Sequence, residues 1–183
     1  MGYLPSTNSL IICFIKFNIL SMKREYMIRK AQPKDAKGIH EVVLAAFEEF
    51  RYFYSPEGFA DTVMSEKAVV KRIDNMPIYI AVEPNNEIIG TIGWKKLSEN
   101  EGHIRGMVVH PKMQGKDSPA NDLLQTVEKD ARSQGCSFLT LDTTEVLQRA
   151  QNFYRKNGFK KTGKIGDFFG TTIFEFAKNI STE

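Results

Sequence analysis

Residues Met107 to Leu124 read MVVHPKMQGKDSPANDLL. An apolar strand pattern ends at Pro111 and a polar stretch containing Gly115 follows. Leu123 and Leu124 then open a stripe continued by Val127 and Ala131, the spacing of one helix face, which Gly135 stops. A strand therefore passes through a loop into a helix. Amide N–H groups at such a junction lack helical partners and the helix dipole adds partial positive charge, so a phosphate or pyrophosphate is the natural occupant. Ser118-Pro119 combines a cap with a first-turn proline and predicts that the helix begins there. Lys112 and Lys116 add attraction for a polyanion. A nucleoside-triphosphate loop would need glycine where His110 stands, and no GxGxxG is present, so both of those sites are excluded.

Downstream, Phe138–Leu141 reads as a short buried strand. Glu145 to Asn157 is a helix with Val146, Leu147, Ala150, Phe153 and Tyr154 inward, ended by Gly158, and strands follow near Phe159–Ile165 and Thr172–Ala177. Upstream, Ile78–Glu83, Glu87–Lys96 and His103–Val109 form a meander. Ahead of it stand a strand at Tyr26–Lys30, a helix capped by Asp35 with Ile39, Val42, Val43, Ala46, Phe47 and Phe50 on one face, an irregular aromatic link over 51–60, and a second helix over Asp61–Ile73. One mixed α/β (α+β) sheet with helices on both faces accommodates this order.

The chain of 183 residues suits one domain, with 42% hydrophobic and 26% charged residues. Lys plus Arg at 25 against Asp plus Glu at 22 leaves +3, and the basic residues are scattered, so no nucleic-acid partner is expected. Cys13 and Cys136 make no disulfide framework. Neither has a Cys or His neighbour at zinc spacing, so no metal is expected. Residues 1–26 form an apolar leader whose run Leu10–Leu20 is broken by Lys16 and Asn18. The run is too short to span a bilayer and lacks the preceding charge of a secretory signal. An added strand or helix, a flexible extension and a start codon placed too early all fit it. The expectation is a cytoplasmic protein, with no membrane contact, whose single domain covers 27–183.

The run V-x-P-x-x-Q-G-K (Val109 to Lys116), followed by helix, strand and Ala150-x-x-Phe153-Tyr154-x-x-x-Gly158-Phe159, resembles the GNAT superfamily of acyl-coenzyme A dependent N-acetyltransferases. The resemblance covers about Met27 to Ala177. It implies a mostly antiparallel central sheet splayed where two parallel strands, here His103–Val109 and Phe138–Leu141, part to admit acetyl-CoA. It also implies cofactor contacts along Met107, Val108 and Val109, with a backbone N–H near Val109 polarising the thioester carbonyl, and a pyrophosphate over Gln114, Gly115, Lys116, Asp117, Ser118, Pro119 and Ala120. The reaction implied is acetyl transfer to a primary amine of a small molecule or protein by direct attack in a ternary complex. Homodimers are common among such proteins.

By the same resemblance Tyr154 protonates the departing coenzyme A thiolate. Asp142, twelve residues earlier, and His103, at the start of the strand leading to V-x-P, are the candidate bases; a pKa near 6.5 suits histidine to that task. Three positions depart from the family pattern. Asp117 and Pro119 stand where glycine and Gly/Ala are usual, unless one residue is inserted so that Ala120 takes the last place. Leu147 replaces an asparagine that bonds the pantetheine. These favour an alternative, a non-catalytic acyl-CoA-binding or partner-binding module. Tyr52, Tyr54 and Phe168 or Phe169 are candidate walls of the acceptor pocket.

Overall fold

A computed structural model of the protein describes residues 25–115 and 117–181. Seven strands form one sheet in the order β1-β2-β3-β4-β5-β7-β6. They are β1 (Met27–Lys30), β2 (Ile78–Val82), β3 (Ile88–Lys96), β4 (Glu101–Val109), β5 (Phe138–Thr144), β6 (Lys160–Phe168) and β7 (Thr171–Asn179). The helices are α1 (Ala36–Phe47), α2 (Pro56–Thr62), α3 (Glu66–Asn75), α4 (Ala120–Ser133) and α5 (Gln148–Lys156). Neighbouring strands pair antiparallel except β4 with β5. Connectivity explains the exception, because α4 crosses over between those two strands and returns the chain in the same direction. The mixed sheet expected from the element order is the one observed. The leader up to residue 24, and Lys116, lie outside the described residues. Among the described residues no helix is long and apolar enough to cross a membrane.

The two faces of the sheet bury separate cores. On one, Ile39, Val42 and Val43 of α1 and Val69 of α3 pack on Ile78, Ile80, Val82 and Val108. On the other, Leu123, Leu124, Val127 and Ala131 of α4 join Trp94, Leu139, Leu141, Tyr154 and Phe176. All four α4 side chains are at most 1% exposed, as their helical spacing requires. Leu124→Ala removes a buried side chain that its neighbours cannot replace and is expected to cost about 2–5 kcal/mol. The check is a lower urea midpoint with an unchanged slope.

Several local expectations are corrected. The link over 51–60 is largely helical: a 3₁₀ segment covers Glu48–Phe53, and α2 starts at Pro56. The second helix is two, broken at Val63–Ser65, because Ser55 and Ser65 each accept a backbone N–H, from Gly58 and Ala68. Asp35 does not cap α1 with its side chain. Its carboxylate instead accepts from Arg29 at 2.7 Å and from the Gln32 N–H at 2.8 Å, and those bonds hold it below the usual carboxylate range. α4 begins at Ala120 rather than at Ser118-Pro119, although Ser118 Oγ still accepts the Ala120 N–H. α5 begins at Gln148, three residues after the expected Glu145, and β5 runs on to Thr144, so Asp142 lies inside a strand rather than at its end.

The feature that positions the site is where β4 and β5 stop pairing. Their register runs from Glu101↔Phe138 to Ile104↔Leu141 and no further, while β4 continues to Val109 and β5 to Thr144. A bulge in β4 supplies the bend. Against β3, Arg105 pairs with Gly93 and Val108 with Thr91, leaving Gly106 and Met107 opposite Ile92 alone. Gly106 has φ +62°, a conformation that favours glycine. The splayed parallel pair expected from the resemblance is therefore present.

Candidate functional site

The opened strands border two cavities. One, of about 310 Å³, lies on the α1–α3 side and is lined by Tyr54, Arg72, His103, Arg105, Asp142 and Thr143 among others. The second, of about 300 Å³, is lined by Met107 to Val109, Gln114, Gly115, Ser118, Ala120, Asn121 and Arg149. Phe47, Met107, Val108, Leu147, Ala150 and Tyr154 border both, so the two volumes adjoin at the splay. Main-chain groups alternate in direction along a strand. The His110 N–H donates to Ile89 O of β3, whereas Val109 O accepts from Gln114 Nε2 at 3.3 Å. Val109 thus turns its peptide groups, the N–H included, away from β3 and towards the gap.

In the second cavity the strand-to-helix junction takes the predicted form. Gly115 has φ +122°, and a Cβ there would meet nothing within 4 Å, so the backbone conformation rather than crowding calls for glycine. Leu123 N–H is the first to bond within α4, to Pro119 O, so Asn121 and Asp122 present amides with no helical acceptor. Arg149 donates to Gln114 Oε1 and brings a cation to the rim. Asp117 and Pro119 are not among the cavity walls. Burial and the Asp122 hydrogen bond push the Tyr26 hydroxyl up to about 12, with the Asp117 carboxylate adding the smallest share.

Tyr154 is buried at 7% exposure, inside the cluster of Phe153 and Phe159, whose rings meet it edge-on at 5.5 and 5.6 Å. Among the described residues none hydrogen-bonds its hydroxyl. Burial raises its pKa well above the tyrosine value, so the phenol keeps its proton and has it available to donate.

His103 sits where β4 and β5 are still paired, opposite Thr140. Thr140 Oγ1 donates to Glu101 Oε1 at 2.9 Å and contacts His103 Nδ1 at 2.9 Å. A hydroxyl has one proton, and it goes to the carboxylate, so Nδ1 must carry its own proton and donate. The neutral ring therefore has its lone pair on Nε2, which stands 3.7 Å from Asp142 Oδ2. Burial lowers the His103 pKa, Asp142 opposes that shift, and Arg105 reinforces it. The ring is therefore neutral at neutral pH, with its Nε2 lone pair beside a carboxylate. His103 and Asp142, two separate candidates in the sequence, form one unit.

Of the expected acceptor walls, Tyr54 and Phe168 line the first cavity, their rings edge-to-face at 6.4 Å, and Tyr54 shares a hydrogen bond with Thr144 Oγ1 at 2.7 Å. Tyr52 is 94% exposed and borders neither cavity; Phe169 packs on Phe168 instead of facing the opening. Sequence reasoning passed over Arg72, Arg105, Glu101, Thr140 and Thr143. Arg105 carried a signal, since residues two apart on a strand share a face and it follows His103 by two. The others are brought in by register and helix packing.

A family model described as the acetyltransferase (GNAT) family matches residues 39–159. No curated protein matches the chain. Among solved structures, the PaiA N-acetyltransferase from Thermoplasma acidophilum in complex with coenzyme A is similar at TM-score 0.73 and 21% identity, over 85% of this chain and 99% of that one. A GNAT-family acetyltransferase from Staphylococcus aureus Mu50 is similar at TM-score 0.70 and 21% identity, over 86% and 100%. Ard1 from Thermoplasma volcanium is similar at TM-score 0.70 and 15% identity, over 86% and 99%.

Proposed function

Because the chain belongs to the acetyltransferase (GNAT) family, we propose that residues 27–183 act as a single cytoplasmic domain that moves an acetyl group from acetyl-CoA to a primary amine by direct attack. The observation that carries this reading is the junction of two cavities at the splay, with Tyr154 and the β4 main chain bordering both. One cavity suits a nucleotide tail and the other an amine, so both reactants are held together and proximity supplies much of the rate.

The second cavity fits coenzyme A on its own chemistry: the open turn at Gly115, the free amides at the start of α4 and Arg149 at the rim all suit a pyrophosphate. The coenzyme A in the Thermoplasma acidophilum structure agrees with this assignment. When bound, acetyl-CoA supplies an activated acyl carbon and a thiolate leaving group. His103 Nε2 would accept the amine proton, directly or through a water, with Asp142 stabilising the imidazolium. The Val109 N–H would face the acyl oxygen as negative charge develops there. Tyr154 would donate a hydrogen bond to the departing sulfur. With its pKa raised, full proton transfer to a thiolate near pKa 8.5 is uphill, so hydrogen-bond donation in a desolvated site is the larger part of its role. The non-catalytic alternative loses the support of Asp117 and Pro119, which do not line the cavity.

Acetyl-CoA at 100 times its Kd is expected to stabilise the protein by about 2.7 kcal/mol, read as a rise in Tm. Thiol release from acetyl-CoA across a panel of amines then tests catalysis. No thermal shift at millimolar acetyl-CoA would sink both the enzyme reading and the binding alternative. A shift without turnover of any amine would leave the non-catalytic one.

A further inference from the structure

The acetyl transfer proposed above leaves two cations in the first cavity unused. Arg72 reaches across from α3 until its Nη1 stands 3.5 Å from where a Cβ on Gly106 would be, so its guanidinium lies over the β4 bulge. Arg105 is the residue just before that glycine, and both arginines line the cavity. Among the described residues neither makes an ion pair or a hydrogen bond. The cost of this arrangement is visible in Arg72: burial and the like charge of Arg105 both lower its pKa, and only Asp61 opposes them. Arg72 is half-buried and Arg105 exposed, and a half-buried, unpaired guanidinium beside a second one is costly to hold unless an anion completes it.

Thr143 also lines the cavity with a buried hydroxyl that has no partner among the described residues, but strand alternation turns it to the sheet face opposite Asp142, so the call for an anion comes from the arginines alone. The cavity's own carboxylates do not fill the role. Asp61 acts on Arg72 from beyond ion-pair distance, and Asp142 stands by His103 at 3.7 Å. Within the cavity a base and a carboxylate thus stand beside two unpaired cations. Along β4 Arg105 stands roughly 7 Å beyond His103, two residues at about 3.4 Å each. An amine and an acid on one short carbon chain bridge that separation.

Resting on the acetyl-transfer reading, we propose that the acceptor is an amine that carries its own acidic group, an amino acid or an aminophosphonate, with the acid held between Arg72 and Arg105 while the amine is presented to His103. Polyamines and aminoglycosides would bring further positive charge against the two arginines and are disfavoured.

The test uses thiol release from acetyl-CoA with glycine, β-alanine, glutamate and 2-aminoethylphosphonate, each beside its uncharged amide or ester, and with spermidine and kanamycin. At least one acid is expected to exceed its neutral counterpart in kcat/KM by roughly 10- to 100-fold, the range that charge-assisted hydrogen bonds supply. Arg72→Gln and Arg105→Gln should each shrink that ratio towards one. Neutral counterparts matching the acids throughout, or spermidine or kanamycin as the best acceptor, would overturn the proposal and leave acetyl transfer standing. If no amine is consumed, the acetyl-transfer reading fails. The anion site is then judged by calorimetric titration of the same acids into the protein saturated with coenzyme A. Acid-selective binding that Arg105→Gln removes supports the site, and its absence overturns it.

Discussion

Tyr154→Phe lowers kcat by about 10²-fold or more while the KM for acetyl-CoA changes little, in a thiol-release assay with any amine the enzyme accepts. The size is that of losing one hydrogen-bond donor preorganised for charge that develops in the transition state. The pattern follows from the packing: the ring is held edge-on by Phe153 and Phe159, and phenylalanine preserves those contacts. Only the hydroxyl is removed, and among the described residues nothing bonds it, so the fold loses no hydrogen bond. Stability should stay within about 0.5 kcal/mol of the parent, as for substitutions that disturb no packing or partner. Unchanged kcat in this variant would remove Tyr154 from the chemistry and leave it a core residue.

His103→Ala should reduce kcat/KM by about 10²-fold, the lower range for a positioned base, and should abolish the acid limb of its pH profile. The sign is set by the geometry. Neutral His103 is the active form, and burial depresses its pKa, so the parent enzyme should lose activity only as the pH falls below the ordinary histidine value of about 6.5. Asp142 is the neighbour that lifts that pKa most. Asp142→Asn should therefore move the limb to still lower pH while also lowering the rate, because the imidazolium loses its stabilising charge. The limb that belongs to the acceptor amine lies elsewhere, near about 10.4 for a lysine-like amine, so the two are separable. An acid limb that persists in His103→Ala would assign the base to another group.

The α4 stripe and the inward Tyr154 were legible because each depends on local periodicity or on a motif contained in one segment. The same holds for Gly115, whose place in a polar loop between a strand and a helix marks a turn. The errors were also local. In 51–62 the aromatic residues hid the Ser55-Pro56 pair, a cap followed by a first-turn proline that does start a helix. Asp before a helix most commonly caps it, but Arg29, on the preceding strand, competes for the Asp35 carboxylate and holds it in a two-bond pair.

By itself the chain's order of residues determined a mixed sheet with a strand–loop–helix junction and a tyrosine facing inward, since helical and strand periods and turn chemistry act over a few residues. Tertiary structure alone decided that Glu101, Thr140, His103 and Asp142 form one polar cluster, because parallel register brings together positions 37 residues apart. It also decided that Arg72 from α3 meets Arg105 at the β4 bulge. No local pattern encodes that encounter, which arises only when the helix packs on the sheet and the strands part at Ile104 and Leu141.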